Sequence, residues 1–313
     1  MVIRAKKDRV LKLDVIDQKI LYNLSVNYRI PRNKLAKSIN ISPQRLNHRI
    51  NQLEKDFIEP YVCLNYPGLG INAYLLLYDS LNEEETKRIS ESENVYYFLR
   101  LIGKKQYLAI ILAEDIINFC IKETPNQKPE IFRIDKFLPD NWNGYIVRGT
   151  KQPSFKFKDY ELKAADYKLL SLLCKSPLIS SFDLSKKLKM GRKTIKSKIN
   201  LIENTGIIQK YGFSINIPKT GFLTYFIHLT CKPNEIESTI NQVKTNPYSG
   251  FLFQSSNNLF FSYITPNSER LFNFLEGIES KTDSIIDVSQ NTGEYLVEPL
   301  PIYAQNVLEK RAK

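Results

Sequence analysis

The chain has 313 residues, 42% of them hydrophobic, and its 45 Lys+Arg against 33 Asp+Glu give a net charge of +12. That apolar fraction excludes a disordered chain, and the length suits two ordinary domains or four small ones. The positive balance points to a polyanionic partner, nucleic acid first and an acidic membrane surface second.

The opening MVIRAKKDRVLKLD has no apolar segment of the signal-peptide kind. Its basic residues Arg4, Lys6, Lys7 and Arg9 form either a solvated tail or an arm for a phosphate backbone or minor groove. After Asp14, a good N-cap, Ile16, Ile20, Leu21 and Leu24 recur on one helical face. A second helix starts near Pro31 with Leu35, Ala36 and Ile39 inward. A third is predicted in SPQRLNHRINQLEKDF, with Ser42 as N-cap, Pro43 at its first position, and Leu46, Ile50, Leu53 and Phe57 inward. IEPYVCLN then reads as an extended wing. INAYLLLYDS, NEEETKRISES, NVYYFLRLIG, KQYLAIILA, EDIINFCIKE and EIFRIDKFL follow in a ferredoxin-like βαββαβ order. The longest apolar runs, AYLLLY and YLAIILA, fall far short of the roughly 20 residues of a membrane span, so a cytoplasmic protein with no membrane partner is expected.

VRGTKQPSFKFKDY, basic and without apolar period, reads as a linker. From Leu162 the same plan returns. Asp17 falls on Asp166, Leu35 on Leu184, Lys37 on Lys186, and Leu46, Ile50 and Leu53 on Ile195, Ile199 and Ile202. Ser180 with Asp183 opens the second helix of this copy and Gly191 the third, IIQKYGFSIN gives the wing, and a second βαββαβ order runs from FLTYFIHLT to DSIIDVSQ. The expected fold class is α+β: two copies of a winged helix-turn-helix followed by a ferredoxin-like βαββαβ domain. The boundaries are 1–66, 67–147, a basic linker 148–160, 161–217, and 218–313 with a C-terminal tail.

In such an arrangement the third helix enters the major groove with its first turns facing base edges. Ser42, Gln44, Arg45, Asn47, His48, Arg49 and Gln52 are therefore the candidate DNA contacts of the first copy. Arg pairs bidentately with guanine, and Gln or Asn does so with adenine. In the second copy the candidates are Arg192, Lys193, Thr194, Lys196, Ser197 and Lys198. Lysine is a point charge, so this helix reads as a clamp on phosphates more than as a sequence reader.

The stretch LDVIDQKILYNLSVNYRIPRNKLAKSINISPQRLNHRINQLEKDFIEPY resembles the Lrp/AsnC family of transcription regulators. Leu13-Asp14, Leu35-Ala36, Ser42-Pro43, Arg49, Leu53-Glu54, Ile58 and Tyr61 carry the resemblance. It implies a regulator of double-stranded DNA that self-associates through its βαββαβ domains and has an effector site in the turn between the second and third strands. The family's turn bears an acidic residue. Here the two turns read GKKQY and SSNN, so an effector stays unidentified. Two different third helices in one chain predict an asymmetric DNA site.

Cys63, Cys120, Cys174 and Cys231 are widely spaced, so neither a zinc site nor a disulfide framework is expected. No phosphate loop, nucleophile elbow or metal-ligand set is visible, so no cofactor, no metal and no enzymatic activity are expected. Two alternatives stand beside the regulator. One is a chromatin-like binder of low specificity. The other is an enzyme similar to the siroheme decarboxylases of heme biosynthesis, which set the same two domain types in paired or fused copies. The histidines available for such chemistry are His48 and His228.

Overall fold

A computed structural model describes residues 12–138, 160–298 and 300–313. The basic arm and linker residues 148–159 lie outside the described residues. The first half contains α1 (Val15–Val26), α2 (Arg32–Ser38), α3 (Pro43–Asp56), β1 (Ile58–Leu64), β2 (Ala73–Tyr78), α4 (Glu83–Glu91), β3 (Val95–Ile102), β4 (Tyr107–Leu112), α5 (Ile116–Glu123), β5 (Glu130–Arg133) and β6 (Lys136–Leu138). The second half contains α6 (Ala164–Lys175), α7 (Ser181–Leu188), α8 (Arg192–Asn204), β7 (Ile208–Ile215), β8 (Leu223–Thr230), α9 (Ile236–Thr245), β9 (Ser249–Ser255), β10 (Asn258–Thr265), α10 (Ser268–Glu279), β11 (Ile285–Val297) and α11 (Ile302–Arg311). This is the α+β class read from the sequence, with a winged helix-turn-helix and a βαββαβ order in each half. The described residues gather into two compact units. A helical unit holds 13–69, 160–216 and 300–313, and a sheet unit holds 70–138 and 217–298.

In the helical unit, α1 starts where Asp14 accepts the Ile16 and Asp17 N–H groups at 2.8 and 2.9 Å, while Asp17 accepts the Asp14 N–H at 3.2 Å. This reciprocal cap satisfies donors that a helix start leaves unpaired. Ser42 caps α3 by accepting the Arg45 N–H at 3.2 Å, and Pro43 fits the first turn because it has no N–H to leave unpaired. Ile20, Leu21, Leu24, Leu35, Leu46 and Ile50 are all buried at 2% exposure or less. Each contributes about 1.5–3 kcal/mol through removal from water.

The two wings pair with each other, β1 antiparallel to β7, with Ile58 opposite Ile215 and Val62 opposite Tyr211. A lone two-stranded ribbon is marginal in water, and this one is held from both sides. Helix α1 packs on β7 and α6 on β1, so each first helix covers the other copy's wing. The C-terminal tail is not irregular: its α11 packs along α6.

In the sheet unit the strands run β5-β2-β4-β3-β11-β8-β10-β9-β6. The first and last of this order are consecutive in the chain, separated only by Ile134 and Asp135. One continuous segment of chain therefore supplies both ends of the order, β5 pairing with β2 and β6 with β9. Two expected strands change here. EIFRIDKFL divides, so that β5 pairs with β2 and β6 pairs with β9 of the other half. The bend is fixed at Asp135, whose N–H donates to the Gln254 carbonyl and whose carboxylate accepts the Ser256 N–H, at 2.8 and 2.7 Å. DSIIDVSQ extends to Val297, because β11 pairs first with β8 and then with β3.

The outer face of each half is covered by its own helices. Ile89, Ile116 and Phe119 of α4 and α5 pack on Leu76, Phe98 and Ile111, and Ile240, Leu271 and Leu275 of α9 and α10 pack on Leu229 and Phe261. The inner face is filled by aromatic rings. Phe260 lies 4.4 Å from His228 and 4.8 Å from Phe132 between ring centroids, and Phe137 lies 4.7 Å from Phe253.

Candidate nucleic-acid interface

Helix α3 is a sharply divided helix. Leu46, Ile50 and Leu53 are buried, and Gln44, Arg45, Asn47, His48 and Gln52 are all exposed. The hydroxyl of Ser42 is engaged in the cap, and the side chain stays at the surface. Arg49 is placed differently. It is 18% exposed, and its guanidinium bonds Asp17 and Asp14, each at 2.7 Å. The Asp17 N–H and the Arg49 guanidinium hold the Asp14 carboxyl below its ordinary range, while Asp17 and Asp14 raise Arg49. Arg49 is a candidate DNA contact by its place in the sequence. In the structure it ties the third helix to the first.

The second copy repeats this device with other residues. Lys198 Nζ lies 2.6 Å from Asp166 Oδ1, and the Asp166 side chain is fully buried. Its second oxygen accepts the Tyr160 hydroxyl and the Lys163 N–H at 2.8 and 2.9 Å. Burial opposes the Asp166 charge, but Lys198, the Lys163 N–H and the Tyr160 hydroxyl together hold the carboxyl below its ordinary value of 3.8. Lys198 thus also faces the protein. The other second-copy candidates, Arg192, Lys193, Thr194, Lys196 and Ser197, are exposed along α8. Gly191 gives α8 no side-chain cap, in contrast to Ser42 on α3.

Contacts that sequence reasoning missed join the two helix-turn-helix heads. Arg29 donates to the Pro177 and Ile179 carbonyls at 3.1 and 3.2 Å, and its guanidinium lies 5.1 Å from the Tyr211 ring centre. The Tyr28 N–H donates to the Tyr211 carbonyl at 2.9 Å, and the Tyr28 ring meets Phe213 edge-on. The heads are therefore one packed body.

The sheet unit has a separate polar cluster at a small cavity lined by Lys104, Lys105, Glu130, His228 and Asp287. Lys105 bonds Asp79 and Glu130, each at 2.8 Å; burial opposes its charge, yet these carboxylates raise it above the ordinary lysine range. His228 Nε2 lies 2.9 Å from Asn258 Oδ1. Among the described residues no group of three or more His, Cys, Asp or Glu side chains is placed to hold a metal ion. No described helix is long and apolar enough to cross a membrane.

The winged helix-turn-helix DNA-binding family matches residues 13–56. No curated protein matches the chain in sequence. Among solved structures, the siroheme decarboxylase NirDL is similar over 95% of this chain and 98% of its own, with 14% identity and a TM-score of 0.59. Its co-complex with an iron-uroporphyrin III analogue gives 0.60 over the same shares. LrpC of B. subtilis is similar over 41% of this chain and 94% of its own, with 18% identity and a TM-score of 0.34. Over its full length the fold is thus shared with an enzyme. This corrects the expectation that the chain is not an enzyme. That expectation rested on the absence of short catalytic signatures, and a site assembled from separate strands leaves none.

Proposed function

We propose that the chain is a transcriptional regulator that binds double-stranded DNA with two unequal heads, α3 reading bases and α8 gripping mainly phosphates. The observation that carries this reading is the exposed set Gln44, Arg45, Asn47 and His48 on α3, within the segment matched by the winged helix-turn-helix family. The two heads differ in chemistry, so the preferred site is asymmetric. We read the two halves as a tandem duplicate of one regulator subunit, with further self-association through the sheet unit and any effector still to be identified.

Selection from random duplex DNA at two salt concentrations tests this. An enriched asymmetric motif supports the regulator. Strong binding without a motif means a chromatin-like role, and absence of binding at low salt sinks both. Arg45→Ala should cost about 1–3 kcal/mol on the selected site and relax preference at one position. Lys193→Ala should instead weaken all sequences alike and reduce the salt slope by about 0.9. Equal losses on selected and random DNA for both variants would remove the division of labour.

A second reading is supported by the full-length similarity to NirDL: a decarboxylase acting on a carboxylate-rich tetrapyrrole. In this chain Lys104 and Lys105 are the cations at the sheet-unit cavity, which Glu130, His228 and Asp287 also line. Titration with siroheme, followed in the visible spectrum, tests it. An unshifted spectrum at saturating protein would set this reading aside.

A further inference from the structure

Helix α7 begins with a large apolar side chain left in water. Phe182 is 42% exposed, where a phenyl ring gains little from burial. Two cations stand over it instead. Lys186 Nζ is 4.1 Å from the ring centre and the Arg192 guanidinium carbon 4.4 Å. Lys186 is one turn further along α7, and Arg192 is the first residue of α8, so the ring spans the turn between the two helices. Among the described residues neither cation has an ion pair. The nearby carboxylate of Asp183 is taken by the Ser180 hydroxyl at 2.6 Å. The first copy has no such arrangement: Asn33, Lys37 and Pro43 stand at the corresponding positions of the repeat.

Two like charges near one ring repel each other, and each is retained by the ring's π electrons. The ring limits where both cations point before any ligand arrives, which lowers the ordering cost of binding. An anion reaching both would also relieve their repulsion. On a helix-turn-helix beside a lysine-rich third helix, the anion that fits is a backbone phosphate of duplex DNA. We propose that Phe182 is a positioning residue that presents Lys186 and Arg192 to the phosphate backbone of DNA, making the second head grip it independently of sequence. This inference rests on the DNA-binding reading above.

The test uses the full chain and a short random-sequence duplex. Phe182→Leu keeps apolar bulk but removes the π face, and Phe182→Trp keeps the face. Phe182→Leu should weaken binding about fivefold at an unchanged melting temperature, and Phe182→Trp should restore it. Lys186→Ala should make the salt slope shallower by about 0.9, while Phe182→Leu leaves it nearly unchanged. Wild-type binding matched by Phe182→Leu would overturn the positioning role alone. Failure of the wild type to bind at low salt would overturn the DNA-binding reading and this inference together.

Discussion

Lys198→Ala will destabilise the helical unit by about 3 kcal/mol at neutral pH, because it strands a buried carboxylate. Asp166 is fully enclosed, and Lys198 is the cation beside it at 2.6 Å. The Tyr160 hydroxyl and Lys163 N–H remain, but neither neutralises the charge. Arg49→Ala should cost less, about 1–2 kcal/mol, because Asp14 is 52% exposed and water can take over part of the load. The pH dependence gives the sign. The native Asp166 pKa lies below its ordinary 3.8, so the pair's contribution is present above that value and is lost as pH falls through the native pKa. In Lys198→Ala burial acts unopposed by the ammonium and raises the Asp166 pKa, so the deficit should shrink on acidification. Urea unfolding at pH 7 and pH 4 checks both statements. Equal deficits at the two pH values would show that lost packing, not charge, sets the cost. Joint replacement, Asp166→Asn with Lys198→Met, should recover most of the loss.

Phe260→Ala should lower the stability of the sheet unit by about 3–5 kcal/mol, the range for removing a buried ring. Phe260 has no exposed surface and touches His228, Phe132 and Phe226, side chains drawn from both halves of the sheet unit. Its removal leaves a void that a close-packed interior has little freedom to collapse around. Phe272→Ala on α10 is the control: 60% exposed, it should change stability by less than about 0.5 kcal/mol. Calorimetry on the two variants distinguishes them, and similar melting temperatures would refute the inner-face packing.

The sequence made the helical unit legible because its signals are local. Asp14, Pro31, Ser42 and Gly191 mark helix starts, and the apolar spacing of α3 marks its buried face. The sheet unit was legible only in order. β11 continues through QNTGEYLV, which has no apolar alternation, because its second stretch is specified by β3 far away in sequence. The tie that Arg49 makes was hidden for the same reason. It sits among the candidate DNA contacts, and its partner Asp17 is 32 residues distant. The repeat held the clue: an aspartate recurs at Asp166 and a cation at Lys198, so the pair is kept although the cation changes. Phe182 gave no signal, since one exposed phenylalanine in a helix is ordinary.

The pairing of β3 with β11 has a consequence for synthesis. Tyr97 meets Val297, which the ribosome adds about 200 residues later. At roughly 5–20 residues per second the outer edge of β3 waits on the order of 10–40 s for its partner. During that interval the nascent first half presents an unpaired, largely apolar strand. Two neighbouring nascent chains offer each other the same edge. Slow translation or crowded polysomes should therefore favour exchange of halves between chains, and the yield of monomer should depend on the rate at which the chain is made.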